Sequence, residues 1–261
     1  MKSMLLCVSL IALGFIFTSP VKSELNLDEA AGIWLFDEDD GEEALDSSVN
    51  GNHGTVQGAE WMPGKFGSAL SFDGQSARVA IPDSDSLDLP GAWTITAWVF
   101  VNKTELSYGH ILGKRNEGLN QSNYAFRINN AGTGWDVYFK KDGEWKGIWG
   151  QGSVKREEWY YITAVYDGES NITVYENGIQ IGSGNPGAPP PAGESELHIG
   201  GWQANNSELL DGKLDEVAIF AVALTPEDIA ELMESGIAAA LSIFSVDHSG
   251  KLVTTWANIK K

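Results

Sequence analysis

From Gly32 to Phe220 the chain is a succession of short apolar runs, each closed by a turn signal, with no helical run between them. Strands arriving about every ten residues without helical crossovers indicate antiparallel pairing, as a sandwich or a barrel. In order, the runs are GIWLFD, ALSFDG, RVAIP, WTITAWVFV, HILGKR, YAFRI, GWDVYF, WYYITAVY, NITVYENGIQIG, ELHIGG and KLDEVAIF. Two turns are especially clear. Asn177-Gly178 separates ITVY from IQIG, and Asp142-Gly143 separates VYFKK from EWKGIW. Both pairs tolerate the two positive φ angles of a type I′ hairpin. WTITAWVFV is apolar on both faces, as expected of a strand with a layer on each side. NPGAPPPAG, Asn185 to Gly193, lacks N–H groups for a ladder and reads as a loop.

At Thr225 the apolar period becomes helical. Thr225 is placed as the N-cap, Pro226 follows at the first helical position, and Asp228 completes a capping-box spacing. Ile229, Leu232 and Met233 then make an apolar stripe. The helix is expected to end near Gly236 or to continue through the Ala-rich stretch to Leu241. Residues 235–261 form a tail, read as a helix end plus a hairpin or as a sorting segment.

The other end has a different character. Lys2, the apolar run Met4 to Phe17 and the small residue Ser23 read as a cleaved secretory signal over residues 1–23. The apolar run is short for a bilayer span, so none is expected in the mature chain. The main domain is then residues 24–234, in a secreted or extracytoplasmic setting. Cys7, the single cysteine, leaves with the signal, so stability must come from the core or from bound metal. The formal net charge is −19, and becomes two units more negative once Lys2 and Lys22 are removed. Such a surface argues against binding nucleic acid or anionic lipid, and it favours cations.

Several segments together are similar to the laminin G-like, or concanavalin A-like lectin/glucanase, jelly-roll family. They are GIWLFDE, DSSVNGNHG, GKFGSALSFDG, WTITAWV, EWYYITAVYDGESNITVYENGIQIGS and ELHIGGWQANNSELLDGKLDEVAIFAVALTPEDIAEL, covering roughly residues 30 to 234. The resemblance implies an all-β fold: two antiparallel sheets stacked as a jelly-roll sandwich, with a short C-terminal helix after the last strand. It also implies a structural Ca²⁺ where the first strand, the FDG turn and the last strand meet. Carried onto this sequence, that points to Asp37 in WLFDE, Asp73 in SFDG and Asp215 in GKLDEV. From strand alternation Asp215 shares a face with Val217 and Ile219, so it needs a partner if buried. The alternative is that Asp73 caps its own turn and Asp215 accepts backbone N–H groups.

The catalytic inventory is sparse. Relatives that hydrolyse glycosides use Glu-x-Asp-x-Glu on one strand, which places carboxylates on one face. This chain lacks that pattern; Asp37-Glu38-Asp39-Asp40, Asp83-x-Asp85 and Glu194-x-Glu196 come nearest, each at a strand end or in a loop-like stretch. Asp215 and Glu216 are adjacent, hence expected on opposite sides of the sheet and unable to flank one glycosidic bond. There is no Gly-x-Ser-x-Gly elbow, and His53, His110, His198 and His248 are far apart and show no zinc-type spacing.

Aromatic residues are the remaining signal, because a sugar ring packs its apolar side on indole or phenol. Trp34, Trp93, Trp98 and Trp159 sit in apolar strands and read as core, whereas Trp61, Trp135, Trp145, Trp149, Trp202 and Tyr108 lie near turns or on mixed strands. Tyr108, Trp149 and Trp202 are the ligand-facing candidates. The sequence therefore reads as a secreted, non-catalytic binding or adhesion module for extracellular glycan or protein, stabilised by calcium. A structural component of the cell surface and a divergent glycoside hydrolase or lyase are the other readings.

Overall fold

A computed structural model describes residues 25–102, 108–116, 121–189, 193–202 and 208–243. The signal segment and the tail beyond residue 243 lie outside the described residues. The chain folds as two stacked eight-stranded sheets, antiparallel throughout their recorded pairings. The first holds β1 (Ala30–Trp34), β4 (Glu60–Pro63), β5 (Ser68–Asp73), β7 (Trp93–Val101), β12 (Trp159–Tyr166), β13 (Ile172–Glu176), β14 (Ile179–Gly184) and β16 (Asp211–Phe220). The second holds β2 (Glu43–Ala44), β3 (Gly54–Gln57), β6 (Arg78–Ile81), β8 (Gly109–Asn116), β9 (Gln121–Ile128), β10 (Trp135–Lys141), β11 (Glu144–Gln151) and β15 (Leu197–Ile199). Of the sandwich and barrel alternatives, the sandwich is the one formed.

Period-two alternation decides what lies between the sheets. Leu70, Ile95 and Val99 from the first sheet meet Val79, Phe126 and Val137 from the second in one apolar core. The central strand β7, between β12 and β16, also buries its other face. There Trp98 joins Tyr161, Phe220, Ile229, Leu232 and Ile237 in a second cluster. Helices α1 (Pro226–Ser235) and α2 (Ile237–Ala240) supply that outer layer. Burying Ile229 or Leu232 there stabilises the fold by about 1.5–3 kcal/mol each. Among the described residues, both helices lie on the first sheet, and no helix covers the outer face of the second.

Local chemistry sets the joints. Asn177 and Gly178 adopt φ of 51° and 76°, and Asp142 and Gly143 adopt 53° and 79°, as the type I′ reading requires. At α1, Thr225 Oγ1 accepts from the Asp228 N–H at 3.2 Å, and Asp228 Oδ2 accepts from the Thr225 N–H at 3.0 Å. Gly236, at φ 79°, breaks the helix, and the Ala-rich stretch forms a separate short turn of helix. Thr225→Ala is expected to cost about 1 kcal/mol, read as a lower urea midpoint at unchanged slope.

One sequence expectation is corrected here. The register of β16 against β7 shifts between Asp215 and Ala218, and Glu216 takes a left-handed φ of 51°. This β-bulge interrupts the alternation. Asp215 stands opposite Trp98 on the helix-covered face, while Val217 and Ile219 point into the inter-sheet core. Asp215 therefore does not share their face.

Candidate functional site

The outer face of the second sheet, which no helix covers, carries an aromatic cleft of about 590 Å³. Its build starts from the Asp142-Gly143 turn, which sets Trp145 opposite Lys140 and Gly147 opposite Tyr138. Trp145 and Trp149 are four residues apart on β11, so they flank Gly147 on one face. Gly147 has no side chain, and a Cβ there would lie 2.7 Å from the Tyr138 Cβ. Tyr138 fills the gap, with Trp149 stacked at 5.4 Å and 24° and Trp145 edge-on at 5.3 Å and 71°. Trp145 and Trp149 remain 46% and 44% exposed, which is unusual for indoles.

Beneath the indoles lies a charged floor. Arg127 on β9 donates from Nε to Asp136 Oδ2 at 3.3 Å and from Nη1 to Glu208 Oε1 at 3.2 Å. Its guanidinium lies 3.6 Å from the Tyr108 ring centroid and 4.3 Å from that of Tyr138. Arg115 on β8 donates to Glu208 Oε2 at 2.6 Å. Asp136 Oδ1 accepts from the Gly150 N–H at 2.9 Å. Burial raises the Asp136 carboxyl above its ordinary pKa, against the pull of that N–H and of Arg127. Burial also raises the Tyr138 phenol, which stays neutral. Tyr108 stands at φ 58°, a conformation that costs a non-glycine residue about 1–3 kcal/mol and recurs at ligand sites.

Of the three ligand-facing candidates, Tyr108 and Trp149 line this cleft together. Trp202 is 5% exposed and packs behind the floor, 4.6 Å under Arg115 and against His110 and His198. Trp135, read from sequence as near a turn, is fully buried in the core. Both histidines are buried and neutral: burial, with Arg115 and Arg127 nearby, holds His110 well below its usual pKa, and burial beside Arg78 takes His198 to about 4. Sequence reasoning missed Arg127, Asp136, Tyr138 and Glu208 as site residues.

The aspartates implied for calcium do not all meet. Asp73 ends β5 opposite Asp211, about 13 Å along β16 from Asp215 at the usual strand rise. Its Oδ1 accepts the N–H groups of Gln75, Ser76 and Ala77, so it closes its own turn. Asp37 and Asp215 do converge, on the turn from Gly64 to Ser68. Asp37 Oδ1 accepts from the Ser68 N–H at 3.0 Å, and Asp215 Oδ2 accepts from Lys65 and Phe66 at 2.6 and 2.9 Å. The buried Oδ1 of Asp215 has no hydrogen-bond partner. Burial, assisted by Asp37, pushes Asp215 up to about 7. Glu216, raised to about 8 by burial and then by Asp215 and Asp37, accepts the Ile237 N–H at the start of α2. A hard cation suits the Asp37–Asp215 pair in donor type, and Asp73 does not belong to it. Among the described residues no three or more His, Cys, Asp or Glu side chains are arranged to hold a metal. Backbone and water would therefore supply most of the about six to eight oxygens that calcium takes.

The chain belongs to the concanavalin A-like lectin/glucanases superfamily, whose family model matches residues 73–230. No curated protein matches it in sequence. Among solved structures it is similar to domain 4 of AbnA, an extracellular GH43 arabinanase from Geobacillus stearothermophilus in complex with arabinotriose. That likeness has 20% identity and a TM-score of 0.62, and it covers 79% of this chain and 98% of the arabinanase domain. It is also similar to the binding domain of Paraclostridial Mosquitocidal Protein 1, at 16% identity and TM-score 0.65, over 80% of this chain. The chain spans about half of that domain, 52%. The receptor-binding domain of a botulinum neurotoxin C/D mosaic serotype matches at 11% identity and TM-score 0.63, covering 81% of this chain and 52% of its own. At these identities the likeness speaks for the fold. Among the described residues no helix is long and apolar enough to cross a membrane.

Proposed function

We propose that this chain is a secreted, non-catalytic module that binds extracellular glycan in the cleft between Tyr108, Trp145 and Trp149, stiffened by Ca²⁺ at Asp37 and Asp215. The carrying observation is the pair of half-exposed indoles fixed on either side of Tyr138 over a hydrogen-bonded polar floor. Apolar walls with a few fixed polar groups are what a small-ligand site requires, and about 590 Å³ is within the usual range of such sites. The arabinanase domain captured with arabinotriose supports glycan as the ligand class. A flat protein partner makes poorer use of a walled cleft.

Catalysis is not needed to account for these side chains. Asp136 and Glu208 are each hydrogen-bonded to Arg127, which holds both in place as acceptors. Calorimetric titration with neutral oligosaccharides is expected to show saturable binding without release of new reducing ends. Trp149→Ala should weaken that binding at least about tenfold, the loss of one stacking anchor, with an unchanged unfolding midpoint. Equal binding by the variant would remove the cleft from the function.

A further inference from the structure

Resting on the reading of the cleft as a glycan site, the structure carries a statement about which glycans it takes. Arg127 is the only cation among the described lining residues, and Asp136 and Glu208 are two anions. Arg127 has its Nε and Nη1 committed. It bonds Asp136, Glu208 and the Tyr138 hydroxyl, and its guanidinium carbon lies 3.6 Å from the Tyr108 ring centroid and 4.3 Å from that of Tyr138. A sialic acid or uronic acid carboxylate needs a cation presenting donors in a fork. Arg127 could offer one only by giving up a carboxylate it already holds, and the incoming anion would then stand beside Asp136 and Glu208.

Cationic ligands meet the opposite obstacle. Three of the four rings that could cage an ammonium group already hold the chain's own cations: Arg127 over Tyr108 and Tyr138, and Lys140 Nζ 4.8 Å and Arg115 5.2 Å from the Trp145 centroid. The whole chain adds a net −19, which deters acidic polysaccharides before they reach the cleft.

Neutral hydroxyls fit what is left. An ionised carboxylate accepts at up to about four lone-pair positions. Asp136 presents one contact to Arg127 and one to Gly150, so each of its oxygens keeps acceptor capacity for a sugar O–H. Asn129 and Asn130 line the same cleft with amide groups. The half-exposed indole of Trp149, stacked on Tyr138, offers an apolar surface for a sugar ring. We infer that the cleft selects neutral glycans, reading their hydroxyls through the Arg127-held carboxylates of Asp136 and Glu208, and rejects uronate and sialylated ones.

The test is calorimetry on the full chain with size-matched probes: arabinotriose, xylotriose and cellotriose against trigalacturonate and 3′-sialyllactose. At least one neutral trisaccharide is expected to bind about tenfold or more tightly than either acidic one. Its affinity should be insensitive to salt, because no ion pair forms with the ligand. Asp136→Asn should narrow the neutral-to-acidic ratio by relieving the repulsion, a change that general loosening of the fold would not produce. Acidic probes that bind as well as or better than neutral ones, with the binding lost in Trp149→Ala, would overturn the selectivity and leave the glycan reading standing. No binding by any probe, with Trp149→Ala silent throughout, would bring down the glycan reading and this inference with it.

Discussion

Thermal unfolding in EDTA is expected about 4–8 °C higher at pH 6 than at pH 8. Asp215 and Glu216 are buried, with carboxyls raised to about 7 and about 8. In the unfolded chain both regain ordinary carboxyl pKa values near 4. Between those limits the folded state holds protons that the unfolded state has released, so stability falls as pH rises. Burial of His110 and His198 works the other way, since the unfolded chain takes up protons on both below about pH 7. At about 1.4 kcal/mol per pH unit and group, the acids exceed the histidines by about 2 kcal/mol over this interval.

The proposed Ca²⁺ would stand in for the proton at the partnerless Asp215 oxygen. Adding Ca²⁺ at pH 8 is then expected to raise the midpoint and flatten the pH dependence. A ligand at a hundred times its Kd contributes about 2.7 kcal/mol. Mg²⁺ should do less, because it dehydrates reluctantly and demands near-octahedral geometry. Asp215→Asn keeps an acceptor for Lys65 and Phe66 but cannot titrate, so it should reduce the pH slope to the share of Glu216 and abolish the calcium response. A pH slope without a calcium response would retain the buried acids and discard the metal.

The fold was legible where one local signal dictated the backbone. Asn-Gly and Asp-Gly turns, the Thr225 box and the doubly apolar WTITAWVFV each had one good solution, and the chain adopts it. Less legible were the edges: β4, with its sequence EWMP and its terminal Pro63, shows no alternation because it lies at the margin of its sheet. The bulge at Glu216 left no trace either, since a left-handed glutamate is set by tertiary contacts at Asp215 and Ile237 rather than by propensity. For the cleft, the W-x-G-x-W spacing of Trp145, Gly147 and Trp149 was present, and the Asp142-Gly143 turn already fixed Tyr138 opposite Gly147. The Arg127–Asp136–Glu208 floor was not readable. Those residues come from β9, β10 and the approach to β16, and only the sheet order brings Glu208 to the other two.

Glu208→Ala is expected to lower stability by about 2–4 kcal/mol, a large effect for a residue outside the core. The Glu208 carboxylate accepts from Arg115 at 2.6 Å, Arg127 at 3.2 Å and the Tyr138 hydroxyl at 3.4 Å, and lies 3.8 Å from His110 Nδ1. The Arg115 and Arg127 side chains are only 5% and 10% exposed. Removing the shared anion leaves two nearly buried guanidinium groups facing one another with less compensation, and His110 is neutral and cannot accept the charge. The partial exposure of Glu208, 16%, lets some water replace it, so the lower part of the range applies if water enters freely. Glu208→Gln retains an acceptor oxygen and should recover about half of the lost stability, while Glu208→Ala should also lose glycan binding as Arg127 shifts from between Tyr108 and Tyr138. Urea midpoints for the two variants decide the matter. If Glu208→Ala unfolds at the wild-type midpoint, the floor is already solvated, and the cleft would have to be assembled by its ligand instead of waiting for it.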